Sequence, residues 1–229
     1  MIAVIGDIHG CYHTLIRVYE EIRTKHTDIP VYSVGDLVDR GNFSYEVLEF
    51  IKQNKIKFTA GNHDLMFYYY VTQPTHPIGK PWIFNGSEST MESYSNHMPA
   101  MREHFVIIKK APLFFNLKDC FISHAGISSY YHKNFKKDIF SDNAKIKKLL
   151  EQELSSTHGV IWTRDELINL GKLQIVGHTI VKDLYYNKKS DTLYTDTSAF
   201  AGNKLTAVII DDNKLIESIS VDTVPIDIE

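Results

Sequence analysis

Short apolar runs alternate with polar loops and amphipathic stretches through the first third of the chain. Three of these runs suit buried strands, and each is followed by a polar loop and then by apolar residues at helical spacing. The predicted strands cover residues 2–5, 31–34 and 56–59, and the predicted helices cover residues 12–24, 43–53 and a stretch that begins near Leu65. This order predicts three strand-loop-helix units.

The rest of the chain carries a different pattern. Four prolines, Pro74, Pro77, Pro81 and Pro99, interrupt residues 72–103 and predict loops and short helices there. Residues 114–123 read as strand and residues 143–154 as helix, and short β-rich runs follow at 174–176, 184–186, 192–195, 205–210 and 215–219. Strands that first alternate with helices and then succeed one another indicate an α/β protein with one mixed sheet or two stacked sheets. We expect a single domain, residues 1–229, with an irregular and partly helical insert at about 72–103.

Length, composition and charge narrow the class of protein. The chain has 229 residues, of which 43% are hydrophobic and 23% charged, as in ordinary globular proteins. A net charge of -3 gives no bulk attraction for nucleic acid. The two cysteines do not form a disulfide scaffold, and the N-terminal apolar run is too short for a signal core or a membrane span. We therefore expect a soluble cytoplasmic protein without a nucleic-acid or membrane partner.

Five polar loops follow predicted strands and hold the residues that can carry chemistry. Their sequences are GDIHG at 6–10, GDLVDRG at 35–41, GNHD at 61–64, SHAG at 123–126 and VGHT at 176–179. Ligands bind outside the carboxyl ends of the strands in open α/β sheets, so the five loops can converge on one crevice.

The side chains in these loops are donors for divalent metals such as manganese, iron or zinc. Asp7 and His9 lie two residues apart and point the same way at a strand end, and Asp36 can bridge two metals through its two oxygens. A second site can be completed by Asn62, His124 and His178. One such loop alone is more often a turn or a helix cap. Five together have no packing rationale, because buried carboxylates and imidazoles cost free energy unless they are paired or metal-bound.

The five motifs, in this order, resemble those of the metal-dependent phosphoprotein phosphatases of the calcineurin-like metallophosphoesterase superfamily, in particular its compact bacterial and phage enzymes. The resemblance runs from residue 2 to about residue 205 and is thin at 72–103. It implies two stacked mixed β-sheets flanked by helices and two divalent metal ions, with manganese expected and iron or zinc as alternatives. It makes Asp7 and His9 ligands of the first metal and Asp36 a ligand of both. The second metal would be held by Asn62, His124 and His178.

The resemblance also implies catalytic roles. His63 is similar to the family's general acid and Asp39 to the carboxylate that orients it, while Arg40 and Arg164 are similar to the guanidinium groups that clamp the phosphate. The reaction would be an in-line attack by a metal-activated hydroxide. A plainer interpretation remains open, in which Arg40 caps a strand end and Arg164 pairs with neighbouring carboxylates on the surface. Asp196 also matches a family position, but we interpret it as a structural turn residue.

The substrate class stays ambiguous at this level. The run Gly177-His-Thr-Ile180 lacks the second histidine of the Gly-His-x-His motif that is usual in nucleases and phosphodiesterases of the superfamily. Ala60, Asp64 and Ala125 also occur in the symmetrical diadenosine tetraphosphate hydrolases, whereas the motifs at 35–41 and 160–164 resemble the phage-type protein phosphatases.

We favour a phosphatase of phosphate monoesters, including phosphoserine and phosphothreonine in proteins, with a phosphoprotein or a small phosphorylated molecule as substrate. The alternative is a bis(5'-nucleosyl)-tetraphosphatase acting on a dinucleoside polyphosphate. A non-catalytic metal-binding interaction module is a weaker hypothesis, because such a module has no need of a general acid such as His63.

Overall fold

The computed structural model describes residues 1–135, 139–140 and 142–229, which contain two β-sheets and the helices around them. The strands are β1 (Ile2–Ile5), β2 (Val31–Ser33), β3 (Lys57–Phe58), β4 (Phe114–Asn116), β5 (Phe121–Ser123), β6 (Gln174–Val176), β7 (Tyr185–Asn187), β8 (Thr192–Tyr194), β9 (Lys204–Asp211) and β10 (Lys214–Asp222). The α-helices are α1 (Tyr12–Lys25), α2 (Ser44–Gln53), α3 (Asn62–Thr72), α4 (Ser87–Ser93), α5 (Met101–Lys110) and α6 (Asn143–Gln152). No helix in these residues is long and apolar enough to cross a membrane.

Each sheet has five strands and mixes parallel with antiparallel pairs. The strand order is β10-β9-β1-β2-β3 in the first sheet and β4-β5-β6-β8-β7 in the second. Strands β1, β2 and β3 are parallel neighbours, and so are β5, β6 and β8. The remaining strands join antiparallel. The expected architecture of two mixed sheets flanked by helices is confirmed.

Strand β1 shows how the sheets are placed. Its side chains alternate between two apolar clusters, as the period of two in a strand requires. Ile2 and Val4 belong to a cluster with residues of the second sheet, whereas Ala3 and Ile5 belong to a larger cluster that includes the buried face of α1. Because β1 is buried on both faces, its sequence is a continuous apolar run rather than an alternating one.

Three elements differ from the expectation. Helix α3 begins at Asn62 instead of near Leu65, because Gly61 is its N-cap and its backbone N–H donates to the Asp64 carboxylate. The stretch 114–123 is a hairpin of β4 and β5 rather than one strand. Helix α5 was not predicted, although its buried residues Met101, His104, Phe105 and Ile108 follow helical spacing.

The proline-rich segment 73–100 folds back onto the body of the protein, with the short helices that its sequence predicts. A 3-10 helix, Lys80–Phe84, packs on α3, and α4 packs on α2. Two of the side chains that this segment buries are Trp82 and Thr90. The segment is thereby fixed beside the cleft described next.

Candidate active site

Six parallel strands, three from each sheet, end at one cleft. The polar residues that follow these strands are Asp7, Asp36, Asn62, His124, His178 and Asp196. All the predicted site residues except Asp39 and His124 line a single cavity of about 260 Å³ there. Asp39 and His124 lie directly behind the lining and are fully buried. The residues that the sequence brought together as one candidate site are therefore neighbours in the fold.

Several of these residues adopt left-handed backbone conformations, which side chains other than glycine rarely take. The φ angles are 46° at His9, 51° at Asp36, 72° at Asp39, 74° at Arg40 and 61° at His178. Each such residue costs on the order of 1–3 kcal/mol and persists only where the surroundings hold it in place. Strain of this kind, concentrated in the strand-end loops, is typical of functional sites.

Asp64 supplies much of the restraint on the loop after β2. Its carboxylate accepts the backbone N–H groups of Asp36 at 2.9 Å, Leu37 at 2.8 Å and Gly61 at 3.0 Å. Burial, together with the neighbouring negative charge of Asp36, raises the pKa of Asp64 to about 6. From the sequence, Asp64 served only to separate branches of the family; in the structure it ties the second strand-end loop to the third.

Three histidines present one ring nitrogen to the cleft and use the other on a backbone carbonyl. Nδ1 of His9 lies 2.9 Å from the oxygen of Val38, and Nδ1 of His124 lies 2.9 Å from the oxygen of Val34. Nε2 of His178 lies 3.1 Å from the oxygen of Trp162. Since only an N–H can bond a carbonyl, the inward nitrogen of each neutral ring carries a lone pair. This is the tautomer that a metal ligand needs.

The inward nitrogens of His124 and His178 meet oxygen atoms rather than donors. Asn62 Oδ1 lies 2.9 Å from both Nε2 of His124 and Nδ1 of His178, and Asp36 Oδ2 lies 3.4 Å from Nε2 of His124. When both rings are neutral, their lone pairs and the Asn62 and Asp36 oxygens converge on one point, which a cation would satisfy. Burial by itself would lower the pKa of His124, but the Asp36 carboxylate outweighs it and raises that pKa to about 9. Burial, reinforced by the positive His124, lowers the pKa of His178 to about 3.

Two buried carboxylate oxygens have no hydrogen-bond partner among the described residues. They are Oδ1 of Asp7 and Oδ2 of Asp196, and both side chains line the cavity. Burial and the nearby charge of Asp196 raise the pKa of Asp7 well above its usual range. Asp196 does act in a turn, because its Oδ1 accepts the N–H of Ser198 at 3.0 Å. Because its side chain also lines the cavity, a turn role alone is too narrow a description.

Two groups of carboxylate and imidazole atoms in the described chain are compact enough for a metal. One is His9, Asp36 and His63, and the other is Asp36, His124 and His178, with the ligand atoms of each group within 4.8 Å of one another. Asp36 belongs to both groups, which is the geometry of the bridging role predicted for it. Asp7 stands outside the first group and His63 inside it, whereas the sequence hypothesis assigned these two residues the opposite way.

A second set of contacts orients His63. Its Nδ1 lies 2.7 Å from Oδ2 of Asp39, as expected for an imidazole held by a carboxylate. Nε1 of Trp82 donates to both oxygens of Asp39 at 3.0 Å, and the hydroxyl of Thr90 donates to Oδ1 at 2.7 Å. Burial raises the pKa of Asp39 despite these bonds. The orienting carboxylate is therefore itself held by two residues of the segment 73–100.

The two predicted arginines both line the cavity. Arg40 donates from Nη1 to Nε2 of His9 at 2.9 Å and from Nη2 to Nε2 of His63 at 3.0 Å. Its guanidinium lies 4.3 Å from the ring centre of Phe200, a cation–π contact. Arg164 is exposed and donates to the oxygen of His178 at 3.2 Å rather than pairing with a carboxylate. Both guanidinium groups are free of acidic partners among the described residues.

Comparison with known proteins agrees with this geometry. The calcineurin-like phosphoesterase family matches residues 1–194 of the chain. The chain belongs to this family. It is 24% identical over 207 residues to serine/threonine-protein phosphatase 1 of Salmonella typhimurium, an alignment covering 89% of this chain and 88% of that protein. It is 30% identical over 228 residues to the asymmetrical bis(5'-nucleosyl)-tetraphosphatase PrpE of Bacillus velezensis, covering 89% and 86% of the two chains.

A solved structure shares the fold of this phosphoesterase. The cold-active protein-tyrosine phosphatase of a psychrophilic Shewanella species aligns with a TM-score of 0.60 at 18% identity, covering 97% of this chain and 80% of that one. The phosphoesterase is thus a metal-dependent hydrolase of phosphate esters, and its family uses a dinuclear site of divalent metals. The two donor groups that share Asp36 fit such a site.

Some residues of the phosphoesterase site escaped the sequence analysis. Trp82 and Thr90 support Asp39, Phe200 supports Arg40, and Trp162 and Ile180 line the cavity. Trp162 and Ile180 lie inside the runs 160–164 and 177–180, but neither residue was assigned a role there. Trp82 and Thr90 lie outside every motif, and a lone tryptophan in a proline-rich stretch carries no specific signal.

Proposed function

We propose that this phosphoesterase hydrolyses phosphate monoesters of alkyl alcohols, with phosphoserine and phosphothreonine in proteins as its substrates and manganese as its metal. The observation that carries the proposal is the pair of His63 and Asp39 at the edge of the cavity, 2.7 Å apart and supported from behind by Trp82 and Thr90. Such a pair is built to deliver a proton.

The leaving group explains why this pair favours a monoester. Serine and threonine leave as alkoxides, which are strong bases and need a proton as the ester bond breaks. A dinucleoside polyphosphate instead releases a nucleotide phosphate, which is a stable anion and gains much less from protonation. General acid catalysis contributes about 100- to 10,000-fold where a proton is needed.

The cavity also supplies the groups that bind the phosphate. Arg40 and Arg164 present guanidinium groups, whose planar donors match phosphate oxygens. A phosphate oxygen that takes up the donors of Arg40 would free Nε2 of His63 to carry a proton towards the leaving oxygen. The hydrogen bond between Arg40 and His63 therefore couples phosphate binding to the protonation of the acid.

In this proposal the predicted ligand sets hold two divalent metals. Asp7, His9 and Asp36 would hold the first. The second would be held by Asp36, Asn62, His124 and His178. The unpaired Oδ1 of Asp7 and the inward lone pairs of the imidazoles support this assignment. When bound, such a pair lowers the pKa of a water and neutralises phosphate charge during in-line attack.

The second candidate is a bis(5'-nucleosyl)-tetraphosphatase. It is favoured by the 30% identity, over 89% of this chain, to a Bacillus velezensis protein of that name. The relative named serine/threonine-protein phosphatase 1 is less similar, at 24% identity. The two candidates share the metal centre and differ in the leaving group.

The test compares leaving groups directly. The protein is stripped of metal and reloaded with manganese, and kcat/KM is measured on a phosphoserine peptide and on diadenosine tetraphosphate. We expect the peptide to be preferred, and His63→Ala to lower peptide hydrolysis by about 100-fold or more while affecting the dinucleotide much less. His97→Ala, at an exposed histidine stacked on Tyr45, serves as the matched control.

A preference for the dinucleotide, with equal losses on both substrates in His63→Ala, would move the protein to the tetraphosphatase branch. Full metal occupancy without hydrolysis of either substrate would favour the binding module.

A further inference from the structure

A second cavity, of about 220 Å³, adjoins the phosphate-binding cavity. Its walls are mainly apolar or aromatic, and they include Ala125, Leu167, Val181, Tyr185 and Tyr194. Arg164 lines both cavities, so they are separated by little more than one side chain. The mechanism outlined above makes no use of this second cavity.

The partition between the cavities is the segment 178–181. His178 and Ile180 line the phosphate cavity, whereas Thr179 and Val181 line the second one. The N–H of His178 donates to Oδ2 of Asp7 at 3.0 Å. At the other end, the N–H of Val181 donates to the backbone oxygen of Asp196 at 2.9 Å. Since both ends of the partition are tied to strand-end loops, the second cavity has a fixed position relative to the first.

The far wall is built from aromatic rings and a closely packed leucine. Tyr185 and Tyr194 lie on the paired strands β7 and β8, with their ring centres 5.7 Å apart and their planes at 35°. A Cβ atom at Gly126, where φ is 94°, would come within 2.4 Å of Leu167 Cδ1. Glycine at this position therefore lets Leu167 close the wall. Tyrosine rings offer a large contact area at low entropic cost.

We propose that the second cavity is a substrate subsite that takes the apolar side chain next to the phosphorylated residue of a peptide. This inference rests on the proposed phosphoprotein phosphatase function. Neighbouring Cα atoms of a peptide are about 3.8 Å apart. A phosphoserine held by Arg164 in the first cavity thus brings a flanking side chain to the mouth of the second. Apolar walls of this size select a leucine over an alanine by burial of apolar surface.

The experiment measures selectivity within each variant, because a ratio of two rates cancels any loss of active protein. Two phosphoserine peptides are compared, one with leucine and one with alanine at both flanking positions. Tyr185→Ser opens the cavity wall. Tyr186→Ser is the matched control: Tyr185 is 51% exposed and Tyr186 is 50% exposed on the same strand, but the hydroxyl of Tyr186 donates to Asp191 and its ring does not line the cavity.

We expect the manganese-loaded wild-type protein to prefer the leucine peptide by about tenfold in kcat/KM. In Tyr185→Ser the ratio should fall to about twofold, and in Tyr186→Ser it should stay near the wild-type value. A wild-type ratio near one, or equal ratios in the two variants, would overturn the subsite.

Diadenosine tetraphosphate is assayed in parallel to separate the two levels of the argument. If the wild-type protein cleaves the dinucleotide and neither peptide, the proposed function fails and the subsite with it. If both peptides are cleaved without selectivity, only the subsite fails. If Tyr185→Ser impairs the dinucleotide but leaves the peptide ratio intact, the cavity takes a nucleobase and the peptide occupant is wrong.

Discussion

The strand-end loops and the segment 73–100 reach the same cleft by different means. The loops hold their donors through backbone geometry, with left-handed φ angles at His9, Asp36 and His178 and with backbone hydrogen bonds between loops. The segment 73–100 has one left-handed residue, Gly86, and acts mainly through two side chains. Trp82, in the 3-10 helix that packs on α3, and Thr90, in α4 that packs on α2, both donate hydrogen bonds to Asp39.

The strand-end loops set the positions of the reactive groups, whereas the segment 73–100 sets the orientation of one of them. The proposed metal donors and Arg40 lie in strand-end loops, whose backbone conformation sets their positions. The proposed acid, His63, is oriented by Asp39, and Asp39 is oriented by a segment far away in sequence. Arg40 is the point where the two regions meet, since its N–H donates to the backbone oxygen of Gly86 at 3.1 Å. Mutations in the two regions should therefore differ in size and in kind.

The largest effect is expected on the side of the loops. Asp36→Asn keeps an oxygen that can accept the N–H of His63 but removes the charge shared by both donor groups. Because a metal pair supplies several kcal/mol of charge stabilisation, we expect kcat/KM to fall by about a thousandfold or more. Elemental analysis should show fewer than two metals per chain. Asp28→Asn, at an exposed aspartate, is the control; two tightly held metals in Asp36→Asn would contradict the bridging role.

An intermediate effect is expected from the segment 73–100. Trp82→Phe keeps an aromatic ring and removes the N–H that donates to both oxygens of Asp39. A hydrogen bond to a charged group contributes about 1.5–3 kcal/mol, and Thr90 retains part of the support. We expect kcat to fall about tenfold on an alkyl phosphate and less on an aryl phosphate, whose leaving group needs less help from an acid.

Tyr94→Phe provides the matched comparison for Trp82→Phe. It removes the hydroxyl that bonds His104 in the interior, and Tyr94 belongs to the same segment but makes no hydrogen bond to Asp39. Its cost should appear in the melting temperature and not in the dependence on leaving group. Equal leaving-group dependence in the two variants would mean that Trp82 only supports packing.

The smallest effect concerns Arg40, where the regions meet. Phe200→Leu keeps an apolar side chain and removes the cation–π contact with the guanidinium. A contact of this kind contributes about 0.5–1 kcal/mol at a partly exposed site, so we expect KM to rise about two- to fivefold with kcat nearly unchanged. A large fall in kcat would show that Phe200 does more than steady the arginine, and steady-state kinetics on the phosphoserine peptide distinguish the two outcomes.

Much of the fold could be predicted because its signals are local. The apolar runs of β1 and β6 and the amphipathic pattern of α1 are written in consecutive residues, and the structure places these elements within a residue of the prediction. The start of α3 was misplaced because the N-cap is a glycine, which has no side chain to signal a cap, and because Asp64 at the third helical position was not interpreted as the acceptor of the Gly61 N–H. Helix α5 was missed although Glu103 in its first turn and Lys109 and Lys110 in its last turn are typical of helix ends.

By itself the sequence determined which residues could bind a metal or a phosphate. A polar residue that follows a strand keeps the same chemical groups and the same position at the strand end, whichever strands pair with one another. Only the tertiary structure decided that the carboxyl ends of β1, β2 and β3 face those of β5, β6 and β8 across one cleft. It also decided that Asp196 lines the cleft and that Trp82 holds Asp39. Such contacts join residues dozens of positions apart. They depend on tertiary packing, which does not produce a periodic pattern of residues in the sequence.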